Sequence, residues 1–289
     1  MWLTLAFVSA ITSGILRIYE KEWSANFGNF SLGFLTKVLA LPPLFVLLFF
    51  LPLPENIAAL PWDFWWPLLI IWIVLYPIQT YFLYRSIREG ELSVVIPVMA
   101  LMPVFNIATS FFLIDELPTA YGFFGIALIV AGVYLILKTP KTSSAVASTS
   151  YNTPVVFMIF ATICMAVGNT LDKVAIEAST SAFYSFVNTL GATIVFLVLA
   201  YSYGQIAEFK RMPALGWKLV LFGALNAATF VTAMFALSFA PTSYSLAVRS
   251  GAFLIPVLWG LFFLKESLSS RKIVALALFV LGTIALAIS

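Results

Sequence analysis

Few residues in this sequence could do chemistry. It has one cysteine, no histidine and 12 acidic residues. The acidic pair that draws most attention is Asp115-Glu116 in FFLIDELPT, residues 111–119, directly behind an apolar run. Hydrolysis, phosphoryl transfer and metal chemistry need His, Asp, Glu or Cys converging at one site. Here every acid, from Glu20 to Glu266, falls at or near the end of an apolar run, and Cys164 has no second cysteine to pair with. The pattern therefore argues against an enzyme, leaving an integral membrane enzyme as a remote alternative, and it implies neither cofactor nor metal. It also disfavours proton coupling, which ordinarily uses an ionisable group at depth in the membrane. Asp115-Glu116 suits a helix junction, where a carboxylate favours the positive N-terminal end of the next helix.

Two cations do fall inside apolar runs, Lys37 and Arg249. A charge at such depth costs on the order of 2.5–3.5 kcal/mol on insertion scales, so each needs a compensating partner. Lys37 either snorkels to the interface on its long stem or faces a cavity. Arg249 either bonds backbone carbonyls freed near Pro256 or meets an anionic group, which its planar fork grips bidentately. Gln79, Asn106, Asn169, Asn188 and Asn226 are further polar groups at depth, either joining helices or lining a polar cavity. Tyr76, Tyr244, Trp72 and Trp259 are candidate aromatic walls, with lipid-facing or core packing as the alternative. Pro77, Pro97, Pro103 and Pro256 fall within runs where a missing backbone bond permits a kink, and are candidate hinges.

These residues need a scaffold, and composition says which. The chain of 289 residues is 62% hydrophobic and 9% charged, against about 25% charged in soluble domains. Mean hydropathy is +1.06. Apolar runs near 20 residues, without alternation, predict membrane helices. Ten are expected, over 1–19, 30–53, 62–84, 92–114, 118–138, 154–172, 181–203, 215–238, 243–264 and 271–288. The fold class is thus all-α integral membrane. A Ser/Thr-rich linker, 139–153, divides two five-helix units, 1–138 and 154–289.

The two units echo each other. FFLIDELPT answers to FFLKESLSS, LMPV to LIPV, and Glu20-Lys21 to Asp172-Lys173, in order and at nearly constant shift. An odd number of helices per unit turns the second upside down, giving two inverted repeats with a site expected at their midplane interface. The basic residues agree: Lys21, Arg85, Arg88, Lys210, Arg211, Lys218 and Arg271, among others, follow odd-numbered helices. The positive-inside rule then places both termini outside the cytoplasm. The net charge of +3 does not suggest nucleic acid.

The stretches GELSVVIPVMALMPVFN, FFLIDELPTAYGFFGIALIVAGVYLIL and VRSGAFLIPVLWGLFFLKESLSSRKIVALALFVLGT resemble the end of an EamA domain of the drug/metabolite transporter superfamily, repeated in both halves. The junctions read Ile-Asp-Glu and Leu-Lys-Glu, without the glycine common in that family. The resemblance implies ten helices, a central cavity and alternating access in a prokaryotic inner or plasma membrane. The expected function is a secondary transporter of a small polar metabolite, an amino acid or other carboxylated solute, moved by facilitated diffusion or exchange. The alternative is an amphiphile or lipid-linked sugar translocator of the same fold. The expected partners are the small-molecule substrate and the lipid bilayer, with the chain a monomer or homodimer.

Overall fold

A helix leaves its first N–H and last C=O groups without partners, and lipid offers none. The helix ends of this chain must therefore reach water or find partners in side chains and in one another. The computed structural model describes residues 2–115, 120–137, 152–239 and 270–287, with positions 245, 248, 249, 255 and 259. Regular structure among them is helical throughout: α1 (Trp2–Trp23), α2 (Asn29–Val38), α3 (Leu41–Leu47), α4 (Trp62–Ile70), α5 (Tyr76–Glu89), α6 (Leu92–Val98), α7 (Met102–Ile114), α8 (Ala120–Leu137), α9 (Asn152–Glu177), α10 (Ser181–Ser202), α11 (Trp217–Phe239) and α12 (Ser270–Ala287). Seven segments are long and apolar enough to cross a membrane. α8 and α12 hold shorter apolar stretches. The span expected over 243–264 and most of the 139–153 linker lie outside the described residues.

Three expected spans are interrupted, each beside proline. α2 gives way to α3 at Leu39–Ala40, just before Pro42 and Pro43. α4 and α5 are joined by a π-helical turn, Ile71–Leu75, just before Pro77. α6 and α7 flank a 3-10 turn, Met99–Leu101, between Pro97 and Pro103. Proline lacks an N–H and crowds the preceding turn, which accounts for the departures. Several expected boundaries shift. Asn152 and Thr153, assigned to the linker, belong to α9, and α9 continues past Asp172 to Glu177. The second span ends at Leu47, well short of residue 53.

Packing crosses between the halves. α1 lies on α11, α5 on α9, α2 on α10 and α8 on α12. Exchanging the two halves turns each of these pairings into another of the set or into itself. The α8–α12 contact shows this atom by atom. A Cβ on Gly132 would stand 3.0 Å from the Ala275 carbonyl oxygen and 3.1 Å from the Phe279 ring. One on Gly282 would stand 2.7 Å from the Gly125 carbonyl oxygen and from Ile129. Residues 125, 129 and 132 answer to 275, 279 and 282, so the contact is reciprocal and antiparallel. Reciprocal contact of this kind is what a two-fold axis generates, and glycine permits it because membrane helices associate through close backbone packing. α1 meets α11 likewise through buried Ala6, Ser9 and Ala10, with the Ser9 hydroxyl donating to the Thr229 carbonyl at 3.1 Å. Large apolar side chains face outward instead, Phe112 and Val220 among them.

One polar face closes the helix ends. Lys21 Nζ donates to the carbonyls of Ile87 (2.5 Å) and Gly90 (2.8 Å) at the end of α5. Arg88 donates to those of Ser24 (2.7 Å) and Phe27 (2.8 Å) after α1. Gln205 Oε1, from the connection after α10, accepts from the Phe30 and Ser31 N–H groups at 3.0 and 2.9 Å, and Glu208 accepts from the Gly28 N–H at 2.7 Å. α2 is therefore capped by the second half of the chain. Ser86 donates to the Pro154 carbonyl at 2.6 Å, bringing the start of α9 to the same face.

Candidate functional site

Inside this scaffold lies a cavity of about 230 Å³. Its wall draws on both halves: Ser13 and Arg17 from α1, Lys37 from α2, Ile71 and Leu75 from the π-helical turn, and Tyr76 and Gln79 from α5. Ile96, Met99 and Met102 come from the broken fourth span. Met165, Gly168, Asn169 and Asp172 come from α9, Thr229, Phe230 and Met234 from α11, and Arg249 completes it. Lys37 is placed by the break after α2, where α11 comes so close that a Cβ on Gly223 would stand 2.3 Å from the Leu39 carbonyl oxygen.

The polar side of the cavity has a fixed hydrogen-bond direction. An indole N–H can only donate. Trp72 Nε1 donates to Asn188 Oδ1 at 2.9 Å, which turns the Asn188 amide so that Nδ2 faces two tyrosine hydroxyls, Tyr184 at 2.9 Å and Tyr76 at 3.1 Å. Tyr184 in turn donates to Asp172 Oδ1. The Tyr76 hydroxyl accepts from Asn188 and from Lys37 Nζ at 3.4 Å. Its own hydrogen then has no acceptor among the described residues, and it is available to the cavity that Tyr76 lines.

The two cations feel the charge of Asp172 but do not touch it. The Lys37 ammonium stands over the Tyr76 ring at 4.5 Å and the Phe230 ring at 5.0 Å. It is thus held in the interior and does not snorkel. Arg249 NH1 donates to Asn169 Oδ1 at 3.3 Å, while the Asn169 amide N–H goes to the Met165 carbonyl at 2.6 Å. Neither cation makes an ion pair among the described residues. Arg17 differs, because it contacts Glu20 at 2.5 Å and Tyr84 donates to the same carboxylate at 3.3 Å.

Of the residues singled out in the sequence, Lys37, Arg249, Tyr76, Gln79 and Asn169 line the cavity. Asn188 and Trp72 stand behind it, orienting the tyrosines. Asn106 is fully buried and donates to Ala166 O (3.2 Å) and Thr170 Oγ1 (2.9 Å), joining α7 to α9. Asn226 spends its amide on the Phe222 carbonyl of its own helix at 3.0 Å. Trp259 is half-buried and not part of the cavity wall. Tyr244 and Pro256 lie outside the described residues.

The expectation that acids keep to the helix ends holds for Glu20, in the last turn of α1, and is corrected at Asp172, five residues before the end of α9. Glu20 and Asp172 are 5% and 7% exposed, and Asp172 lines the cavity. The apolar run stops at Asp172, but the helix does not. Ala175 and Ile176 carry it onward by packing against Phe64, Tyr184 and Met234. The argument against proton coupling rested on that expectation and falls with it. Arg17 and the methionine wall were also missed. The one available signal was the match of Glu20-Lys21 to Asp172-Lys173, which sets both acids at equivalent places in the two units.

Comparison with known proteins agrees with this picture. The model of the EamA-like transporter family matches residues 1–138 and 152–288. A solved structure, described only as the crystal structure of a protein, superposes with a TM-score of 0.69 over 98% of this chain and 97% of its own, at 14% identity. At that identity the likeness concerns the fold alone. No curated protein matches the chain.

Proposed function

Since the chain belongs to the EamA-like transporter family, with both halves matched, we propose that it is a secondary transporter carrying a small anionic metabolite by alternating access. The observation that carries this reading is the pair Lys37 and Arg249. Both are set in the cavity wall without a direct ion pair among the described residues, two cations facing the single acid of that wall, Asp172. Buried charge is costly unless paired, and a carboxylated solute supplies the missing charge. The Tyr76 hydroxyl adds a third donor beside Lys37.

The reciprocal α8–α12 contact supports two inverted five-helix units, with a span over 243–264 completing the ten. In such an arrangement one unit rocks against the other around a fixed site. The interruptions beside Pro77, Pro97 and Pro103 are the proposed bending points, since both of these spans border the cavity. The polar face closed by Lys21, Arg88, Gln205 and Glu208 is the proposed cytoplasmic side, on the positive-inside rule. Its bonds to the α2 N-terminus would break when the cavity opens that way.

Thermal unfolding of the purified protein against amino acids, organic acids, sugars and lipophilic cations tests the reading. A ligand that binds only the native state, at a hundred times its Kd, adds about 2.7 kcal/mol. Carboxylated compounds are expected to raise the melting temperature. A rise with lipophilic cations alone contradicts the proposal.

A further inference from the structure

Asp172 is an acid in a cavity whose proposed role is to hold an anion, and this needs an account. Its Oδ1 accepts from Tyr184. The other carboxylate oxygen has no donor among the described residues, is not sealed from the cavity, and belongs to a residue of the cavity wall. Lys37 and Arg249 share that wall, yet neither forms an ion pair with it. The Tyr184 bond, set through Asn188 from Trp72, pins the carboxylate in one orientation. The free oxygen is thus presented, not left to swing onto a neighbouring cation.

We propose that Asp172 is a substrate-contacting residue that receives an ammonium group, so that the cavity takes a solute bearing an amine beside its acid. This rests on the anion reading above and narrows it. The spacing fits a compact zwitterion. Asn169, which holds Arg249, and Asp172 are three residues apart on α9, hence neighbours on one helix face, with Cβ atoms about 5–6 Å apart. An acid group on Arg249 therefore leaves an amine one short step away within reach of Asp172. The same wall includes Met99, Met102, Met165 and Phe230. This is an apolar and adaptable surface, because methionine fills irregular space, and it would accept side chains of differing shape.

Matched solutes with and without the amine test the assignment: leucine against 4-methylpentanoate, and glutamate against glutarate, with affinity read by calorimetry. A site built around a polar partner strongly rejects an analogue lacking it. The wild-type protein is expected to bind the amino member of at least one pair about tenfold or more tighter. In Asp172→Asn, which keeps an acceptor for Tyr184, that preference should shrink to about threefold or less, with affinity for the des-amino member about unchanged. Equal binding within each pair by the wild-type protein overturns the proposal without any variant, and leaves Asp172 a counter-charge to the two cations. A loss in Asp172→Asn common to both members overturns it as well. If neither member of either pair binds, the anion reading itself fails and takes this inference with it.

Discussion

Glu20 and Asp172 occupy equivalent places in the two units, yet they have different partners. Glu20, on α1, is locked to Arg17 at 2.5 Å and capped by Tyr84. On α9 the position answering to Arg17 is Asn169, so Asp172 is left with Tyr184 on one oxygen and the cavity on the other. The missing cation reappears in the same cavity wall as Arg249, bonded to Asn169. One acid–base pair is closed within a helix, and its counterpart is opened across a space that a solute can enter. In this duplicated fold the departure from symmetry marks the site better than any single residue does.

The comparison can be broken first at its closed end. Glu20→Gln strands the Arg17 charge and should cost about 3 kcal/mol, the low end for a broken buried pair, because the Arg17 side chain keeps 20% exposure. Arg17→Gln/Glu20→Gln together should recover most of that in denaturant unfolding. A double variant as unstable as Glu20→Gln alone would show that the pair is not a self-contained unit. Next comes Trp72→Phe, which removes the donor that fixes Asn188. Leaving that buried oxygen unpaired should cost about 1–3 kcal/mol and weaken solute binding as the Tyr76 and Tyr184 hydroxyls lose their orientation. Unchanged affinity would separate the network from the site.

The open end should respond oppositely. Asp172→Asn retains the bond from Tyr184, so its unfolding free energy should change by less than about 1 kcal/mol, well short of the effect at Glu20. An equal loss at both would erase the contrast. Asn226→Ala sharpens it from outside. Among the described residues its amide bonds only its own helix, so stability should move within about 0.5 kcal/mol and solute affinity should not change.

The architecture was largely legible because it is written in apolar length and in the echo between halves. Those features predict most of the described helices, and they lead to the EamA family. The site was legible only in part. Lys37 and Arg249 stand out because a charge in an apolar run is rare. Whether Asn106, Asn188 or Asn226 meets a cavity depends on rotation about the helix axis, and a helix apolar all round carries no pattern that fixes it. Asp172 was missed for another reason. Helix ends were read where charge begins, but tertiary packing of Ala175 and Ile176 keeps the backbone helical for more than a turn beyond it.

The most direct test of the cavity as an anion site is the affinity of Arg249→Gln for a carboxylated solute that stabilises the wild-type protein. Losing one partner of a desolvated charge pair costs about 2 kcal/mol or more, so binding should weaken by about thirtyfold or beyond while the protein remains folded. Arg17→Gln/Glu20→Gln should stay within about threefold on the same measure. Unchanged affinity in Arg249→Gln would contradict the account at its centre.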